Sequence, residues 1–393
     1  MTIRQLLYLA QLEEYDRERI VRWLKEHPGK SVEEKKKHLV WTTKVALLFA
    51  LTLKYSLVLS KERAVLAAIR TLEPIDTLIK RVVVGIAMAK LRLFHRHLKV
   101  IGVAGSWGKT TAKETLTVVL SKKFHVEKTP ENTNTLMGIA KVVMNLPKAA
   151  QMFICEMDAF VPGEIASVCR LIRPQIGLLC AIGPMHLERF HDDFEALVSA
   201  QFELLESLPA SGFGCFPKEY LEVIPKVRAK TFAFSSVDEA YSKIVQRFGL
   251  TAEDVVHAKV SMQSIPHRAQ VIQANGLTII DDAYNSNPAG FRRALQKLAD
   301  AKATKRILVT PGMIEMGKMQ SVENKEAAKE AAKVCDVIIV VGETNKNALM
   351  EGAKGVKKLI WVKNLEDAQK ELAAVAVPGT AVLFENDLGD QYT

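Results

Sequence analysis

The spacing of apolar and polar residues gives the chain two textures. Up to residue 98 apolar positions recur at helical intervals with few glycines. Leu6 to Trp23 reads as one amphipathic stretch that carries the acidic cluster Glu13, Glu14 and Asp16. Leu39 to Leu59 is the most hydrophobic segment and is about long enough to cross a bilayer. Lys44 and Lys54 interrupt it, and a mid-span lysine costs about 2.5–3.5 kcal/mol on insertion scales. A second apolar run, Val82 to Met88, is too short to span.

From Lys99 the pattern changes to short apolar runs alternating with helical stretches, the mark of a parallel α/β sheet. Strands are predicted at Lys99–Ala104, Met152–Glu156, Ile176–Cys180 and Thr231–Phe234. Helices fit at Ala112–Ser121, Leu136–Leu146, Glu164–Leu171 and Phe194–Leu208. A second unit opens at Leu277, with strands Leu277–Asp281, Arg306–Thr310, Val337–Val341, Leu359–Val362 and Ala381–Phe384. Its helices are Ala289–Ala301, Val322–Val334, Lys346–Gly352 and Leu365–Ala374. The expected fold is therefore α/β: a P-loop parallel-sheet central domain (99–276) and a Rossmann-like C-terminal domain (277–393), preceded by a helical N-terminal segment (1–98).

Charge alters this picture in one place. Residues 1–99 hold 20 Lys/Arg against 10 Asp/Glu, which is the whole net charge of +10; the rest is balanced, 34 against 34. An anionic membrane surface is the expected partner of the basic helices. The plainer alternative is a helical layer whose apolar face packs on the next domain. Nucleic acid is not expected, because no recognition-helix, zinc or aromatic-stacking pattern accompanies the charge. The five cysteines, at 155, 169, 180, 215 and 335, form no C-x-x-C pair. They read as small core residues in a reducing compartment. With no cleavable signal pattern, the expected location is cytoplasmic, at the cytoplasmic face of the membrane.

The clearest chemistry lies at Val100 to Thr111. An apolar strand enters a turn of Gly105, Ser106, Trp107 and Gly108, then Lys109, Thr110 and Thr111 open a helix. The glycines allow a tight turn that aims N–H groups at an anion. Lys109 would neutralise β- and γ-phosphate charge and the Thr110 hydroxyl would ligate Mg²⁺. The spacing is G-x-x-G-K-T, since position 103 is valine where the common loop has glycine. Glu156 and His186 each follow or end an apolar strand, where ligands gather in open α/β sheets, and both suit a divalent ion. Asp281 to Pro288 ends another strand with polar groups suited to a ribose or base, and Arg268 lies just upstream.

Taken together these pieces resemble the Mur ligase family, most of all its branch that adds D-alanyl-D-alanine to a UDP-muramoyl tripeptide. The matching residues are 104–111, Thr129 to Asn134 with Gly138, Glu156 with Gly163-Glu164-Ile165, His186-Leu187-Glu188, His267 to Gln270, Asp281 to Pro288, and Ile307 to Gly317. The resemblance implies ATP- and Mg²⁺-dependent amide formation through an acyl phosphate, in cell-envelope precursor synthesis. Its substrates would be a small acyl acid, such as a muropeptide precursor, and an amine. It gives Lys109 the β/γ-phosphates, and Thr110, Glu156 and His186 the metal. Asn132 and Asn134 would face the acyl substrate or its metal, while Arg268, Asp281 and Asn285 would contact nucleotide.

This chain departs from the family in four ways. The basic helices stand where the family has a uridine-nucleotide-binding domain. Gln201 occupies the place of a lysine that many members carbamylate to bridge a second Mg²⁺, and an amide forms no carbamate. Between Phe234 and the helix near Ala240 the chain is too short for the strands and the His-Asn adenine-contacting motif that the family places there. Asp158 replaces a glycine and adds charge near the site. The alternative these departures raise is a catalytically reduced, nucleotide-binding scaffold of envelope assembly.

Overall fold

The computed structural model describes residues 1–34, 38–131, 133–261, 270–283 and 286–388. The N-terminal unit comprises helices α1 (Ile3–Leu12), α2 (Arg17–Glu26), α3 (Thr43–Tyr55) and α4 (Lys61–Phe94). Leu6 to Trp23 is thus two helices, not one. Glu14 and Tyr15 adopt positive φ between them, and Asp16 caps α2 by accepting from the Glu18 and Arg19 N–H groups. The hydrophobic segment Leu39–Leu59 yields a helix of only 13 residues, about 20 Å at 1.5 Å per residue and too short for a bilayer core. Among the described residues no helix is long and apolar enough to cross a membrane. The Val82–Met88 run belongs to α4, whose 34 residues continue through Pro74.

The first sheet contains β1 (Lys99–Ala104), β2 (Val126–Lys128), β3 (Met152–Glu156), β4 (Ile176–Leu179), β5 (Phe213–Pro217) and β6 (Lys230–Phe234). All pairings are parallel, in the order β2-β3-β1-β4-β5-β6. Helices α5 (Lys109–Leu120), α6 (Leu136–Asn145), α7 (Glu164–Ile172), α8 (Phe194–Glu206), α9 (Val237–Gln246) and α10 (Ala252–Ser261) cover its faces. Strand β1 lies between β3 and β4, so the chain reverses direction across the sheet there and opens a crevice at the carboxyl ends. Among the described residues no strand intervenes between Phe234 and Gln270.

The second sheet runs β11-β10-β9-β12-β8-β7. Its strands are β7 (Gln270–Ala274), β8 (Leu277–Asp282), β9 (Lys305–Thr310), β10 (Val337–Val341), β11 (Lys358–Val362) and β12 (Thr380–Glu385). Only β7 among them is antiparallel, joined to β8 through Asn275 and Gly276, both at positive φ. Helices α11 (Pro288–Asp300), α12 (Gln320–Val334), α13 (Lys346–Gly352) and α14 (Leu365–Val375) pack on it.

Helix α4 ties the N-terminal unit to the first sheet. Its basic, apolar last turns pack on α6 and α7, and Lys90 Nζ donates to the Met144 and Leu146 carbonyls at 2.7 and 2.8 Å. These are carbonyls that the end of α6 leaves without helical partners. All five cysteines are free and buried, as small core residues should be. Burial pushes the Cys169, Cys180, Cys215 and Cys335 thiols up to about 12.

Candidate active site

The loop after β1 turns at Gly105 (φ 130°) and Gly108 (φ 85°), in backbone that side chains resist. A Cβ on Gly105 would also meet Cys180 and the Ala181 carbonyl at 3.0–3.1 Å. The loop is fixed from behind by β4's extension. Ser106 and Trp107 donate backbone N–H bonds to the Ala181 carbonyl, and the Ser106 hydroxyl bonds to both backbone groups of Gly183. The Trp107 ring lies against Gly183, where a Cβ would sit 1.8 Å from it. Gln201 on α8, buried, accepts the Gly105 N–H at 2.8 Å. Its amide therefore supports the loop, in the position where the sequence expectation was the loss of a metal ligand.

Helix α5 begins at Lys109, and a helix's first turn leaves its N–H groups without internal acceptors. That end suits a phosphate. Lys109 Nζ is saturated from the protein itself. It donates to the Gly105 and Ser106 carbonyls at 2.6 and 3.2 Å and pairs with Asp158 at 3.0 Å. One helical turn on, Lys113 Nζ pairs with Glu156 at 2.9 Å. The other Glu156 oxygen accepts from the Thr110 hydroxyl at 3.1 Å, and Thr129 Oγ1 accepts the Glu156 N–H. Two buried lysines thus face two buried carboxylates, a charge-balanced set that a low-dielectric site requires.

Thr110 and Glu156 offer adjacent hydroxyl and carboxylate oxygens, the hard donors that Mg²⁺ takes beside water and phosphate. This donor pair fits the ion. His186 is engaged by other partners. It occupies left-handed backbone (φ 58°) after β4, contacts the Phe160 ring edge-on at 4.7 Å, and hydrogen bonds through Nδ1 to Glu315. Glu315 comes from the loop after β9, so this contact joins the carboxyl ends of the two sheets. Burial pushes the Glu315 carboxyl up, but His186, Arg189 and Arg19 together hold it down at about 2.

Asn134 lines a cavity of about 130 Å³ with Asp158, Phe160 and Glu164, which places it beside the loop's carboxylates. Asp281 is the last residue but one of β8, and its carboxylate accepts the Ala283 N–H. Thr111 lies in the first turn of α5. Asn132, Arg268 and Asn285 lie outside the described residues, as do the basic run at 35–37 and residues 267–269 of the His267 motif.

Three groups here had no assigned role from sequence: Lys113, Arg189 and Glu315. The spacing of Lys113, four residues after Lys109, places both on one helical face. Glu315 lay inside a matching motif, but its partner is 129 residues away.

Behind Glu315 a buried network shapes its loop. Thr310 and Ser286 hydroxyls donate to Glu385, Asn386 donates to the Gly312 carbonyl, and Asn324 and Asn345 both donate to the Met313 carbonyl. Burial pushes the Glu385 carboxyl up to about 8 against the opposing Ser286 and Thr310 bonds.

Residues 103–275 match the Mur ligase middle domain, and residues 267–385 match the Mur ligase glutamate ligase domain. The UDP-N-acetylmuramoyl-tripeptide–D-alanyl-D-alanine ligase of Bacillus subtilis is 25% identical over 281 residues, 61% of this chain and 61% of that protein. The chain thus spans about three fifths of that relative's length. The Mycobacterium leprae ligase of the same name is 25% identical over 368 residues, 73% of this chain and 71% of that protein. A crystal structure of MurF from Acinetobacter baumannii shares the fold with a TM-score of 0.70 and 22% identity, over 78% of this chain and 77% of that one. The Thermotoga maritima MurF ligase, solved in complex with ADP, gives 0.69 and 24%, over 78% and 80%. With two adjoining family domains running from residue 103 to residue 385, the chain belongs to the Mur ligase family.

Proposed function

We propose that this chain is an ATP-dependent carbon–nitrogen ligase that joins a carboxylate to an amine through an acyl phosphate, in peptidoglycan precursor synthesis. The observation that carries the reading is the phosphate loop at the β1/β4 reversal, with Lys109 and the Thr110–Glu156 pair at its mouth. The names of the relatives support UDP-N-acetylmuramoyl-tripeptide as the acid and D-alanyl-D-alanine as the amine.

In this reading Gly105 to Thr111 wrap the phosphates and Lys109 exchanges Asp158 for the β/γ-phosphate oxygens. Thr110 and Glu156 would hold Mg²⁺, which supplies charge neutralisation at the transferring phosphoryl group. His186 orders the cleft with Glu315. Asn132 and Asn134 orient the acid; Arg268, Asp281 and Asn285 hold the nucleotide. A carboxylate oxygen attacks the γ-phosphorus while the bond to ADP breaks. The amine nitrogen then attacks the acyl carbon, phosphate leaves, and the nitrogen loses its proton. Positioning and charge neutralisation suffice, so no protein nucleophile is needed. Gln201 keeps the loop in place as a neutral group, which favours an active ligase over a scaffold.

We further propose three working parts, divided near residues 98 and 276, with the basic helical part resting on an anionic membrane surface. Exposed Leu47 and Leu53 on α3 and Ile75, Leu78, Ile79, Val82 and Ile86 on α4 support this, flanked by Lys80, Arg81 and Lys54. Sedimentation with phosphatidylglycerol vesicles, but not phosphatidylcholine vesicles, is the expected result; binding to neither, or equally to both, excludes it.

The ligase reading is tested by ADP release with the tripeptide acid and D-alanyl-D-alanine. ADP should require both substrates and vanish in Lys109→Ala. Nucleotide binding without turnover on these substrates would favour the scaffold instead.

A further inference from the structure

Six of the nine non-glycine residues with positive φ among those described gather in three short segments: Glu14 and Tyr15, then His186, His191 and Asp192, then Glu315. Such backbone persists where surrounding contacts over-determine it. The three segments belong to the turn between α1 and α2, the loop after β4, and the loop after β9. They meet at one charged junction.

Arg19 on α2 is its hub on the N-terminal side. It pairs with the buried Glu13 at 2.6 Å and with Glu14 at 3.6 Å. Glu14 reaches Arg189 at 3.8 Å, and Arg189 reaches Glu315 at 3.9 Å. The Arg189 guanidinium also lies 4.1 Å over the Phe160 ring, whose edge holds His186. Alongside, the Lys318 N–H donates to Asp192 at 2.8 Å, and a Cβ on Gly317 would strike that carboxylate at 1.9 Å. The two sheets' loops are therefore seated against each other with no spare room, and the helical unit supplies the third wall.

We infer that the N-terminal helical unit is a positioning element of the cleft: through Arg19 and Glu14 it sets Arg189 of the first sheet's loop, which with His186 holds Glu315 of the second sheet. Without this third wall, Arg189 loses Glu14 as the group that holds it toward Glu315, and the two sheets separate at Glu315–His186 and Lys318–Asp192. Whatever seats or displaces the helical unit then sets how firmly the cleft closes. Its consequence for turnover rests on the ligase reading; the closure itself does not.

Hydrogen exchange by mass spectrometry reads the closure directly on the full chain. In Arg19→Ala, peptides covering 186–192 and 312–319 should exchange at least about tenfold faster, while β1 and α5 keep their protection. Binding of a non-hydrolysable ATP analogue at the Lys109 loop should stay within about twofold of the parent. If the reading of the site also holds, kcat falls while the nucleotide KM does not. Because Arg19→Ala strands the buried Glu13 and could loosen the helical unit itself, a charge-swapped variant, Glu13→Arg with Arg19→Glu, decides that case. The swap preserves the internal pair but presents a carboxylate to Glu14, the residue that reaches Arg189. Faster exchange in both loops with protected α1–α4 supports the inference. Unchanged exchange in both loops of the swapped protein overturns it, whether or not the chain proves to be a ligase.

Discussion

Replacing Asp158 with asparagine should tighten nucleotide binding and weaken the protein itself. Asp158 stands 3.0 Å from Lys109 Nζ, and both side chains are about 7% exposed. At an effective dielectric of about 20, unit charges at that separation attract by about 5–6 kcal/mol. Most of this is offset by stripping water from both groups. The phosphate that recruits Lys109 must break this pair and then sit beside the released carboxylate. Removing that competition leaves a net gain of about 1–2 kcal/mol, a roughly 5- to 30-fold lower Kd. The folded protein without nucleotide pays for the change, since a buried ammonium loses its counter-charge. The Gly105 and Ser106 carbonyls still accept from it, so the loss should be about 2–3 kcal/mol. Calorimetric titration with a non-hydrolysable ATP analogue and thermal unfolding measure the two effects separately. A lower Tm with an unchanged or higher Kd would refute the competition and leave Asp158 as a structural counter-ion alone.

Other substitutions probe the loop and its supports. Gln201→Leu leaves the buried Gly105 N–H without its acceptor, so stability should fall by about 1–3 kcal/mol and nucleotide Kd rise; parent-like values in both assays would contradict the support role. Gly183→Ala drives a Cβ into the Trp107 ring, and should shift Trp107 fluorescence and weaken nucleotide binding together; an unshifted spectrum counts against that packing. Glu385 stays protonated in the folded protein up to about pH 8, whereas the unfolded chain releases that proton near 4.5. Its stabilisation is whole below about pH 4.5 and is lost as pH rises toward 8, at up to about 1.4 kcal/mol per unit. Glu385→Gln should flatten that slope of Tm between pH 5 and 8; parallel slopes would show the carboxyl ionises normally.

The regular parts of this fold are legible because their local patterns agree with their environment. Val337–Val341 and Lys346–Gly352 fall where the sequence puts them, since one is a buried apolar run and the other a bounded helical turn. Strand β2 has three residues, too few to show alternation. Strand β5 contains Gly214 and Pro217 and reads as loop; its place is set by pairing to β4 and β6. Strand β7 is an exposed edge, yet Asn275-Gly276 before Leu277 is a hairpin signal that would have found it. The break between α1 and α2 was marked by Asp16 as a cap.

The site divides the same way. Gly105 to Thr111 is contiguous and readable, because strand, turn and helix start follow one another. The partners that decide its electrostatics are not contiguous. Gln201 meets Gly105 across 96 residues and Glu315 meets His186 across 129. Asp158 reaches Lys109 because β3 and β1 run parallel in register, Val103 opposite Glu156. Sequence flagged Gln201 and Asp158 as departures, but only the fold gives each a partner.

The central claim is chemical: the acid's carboxylate attacks ATP before the amine arrives. It is tested most directly by labelling both carboxylate oxygens of the tripeptide acid with ¹⁸O and analysing the phosphate released on reaction with ATP and D-alanyl-D-alanine. An acyl phosphate hands one of those oxygens to phosphate when the amine displaces it. Phosphate carrying one ¹⁸O, formed with ADP and amide in equal amounts, is the expected result. Amide formed with unlabelled phosphate, or with AMP, would contradict the account.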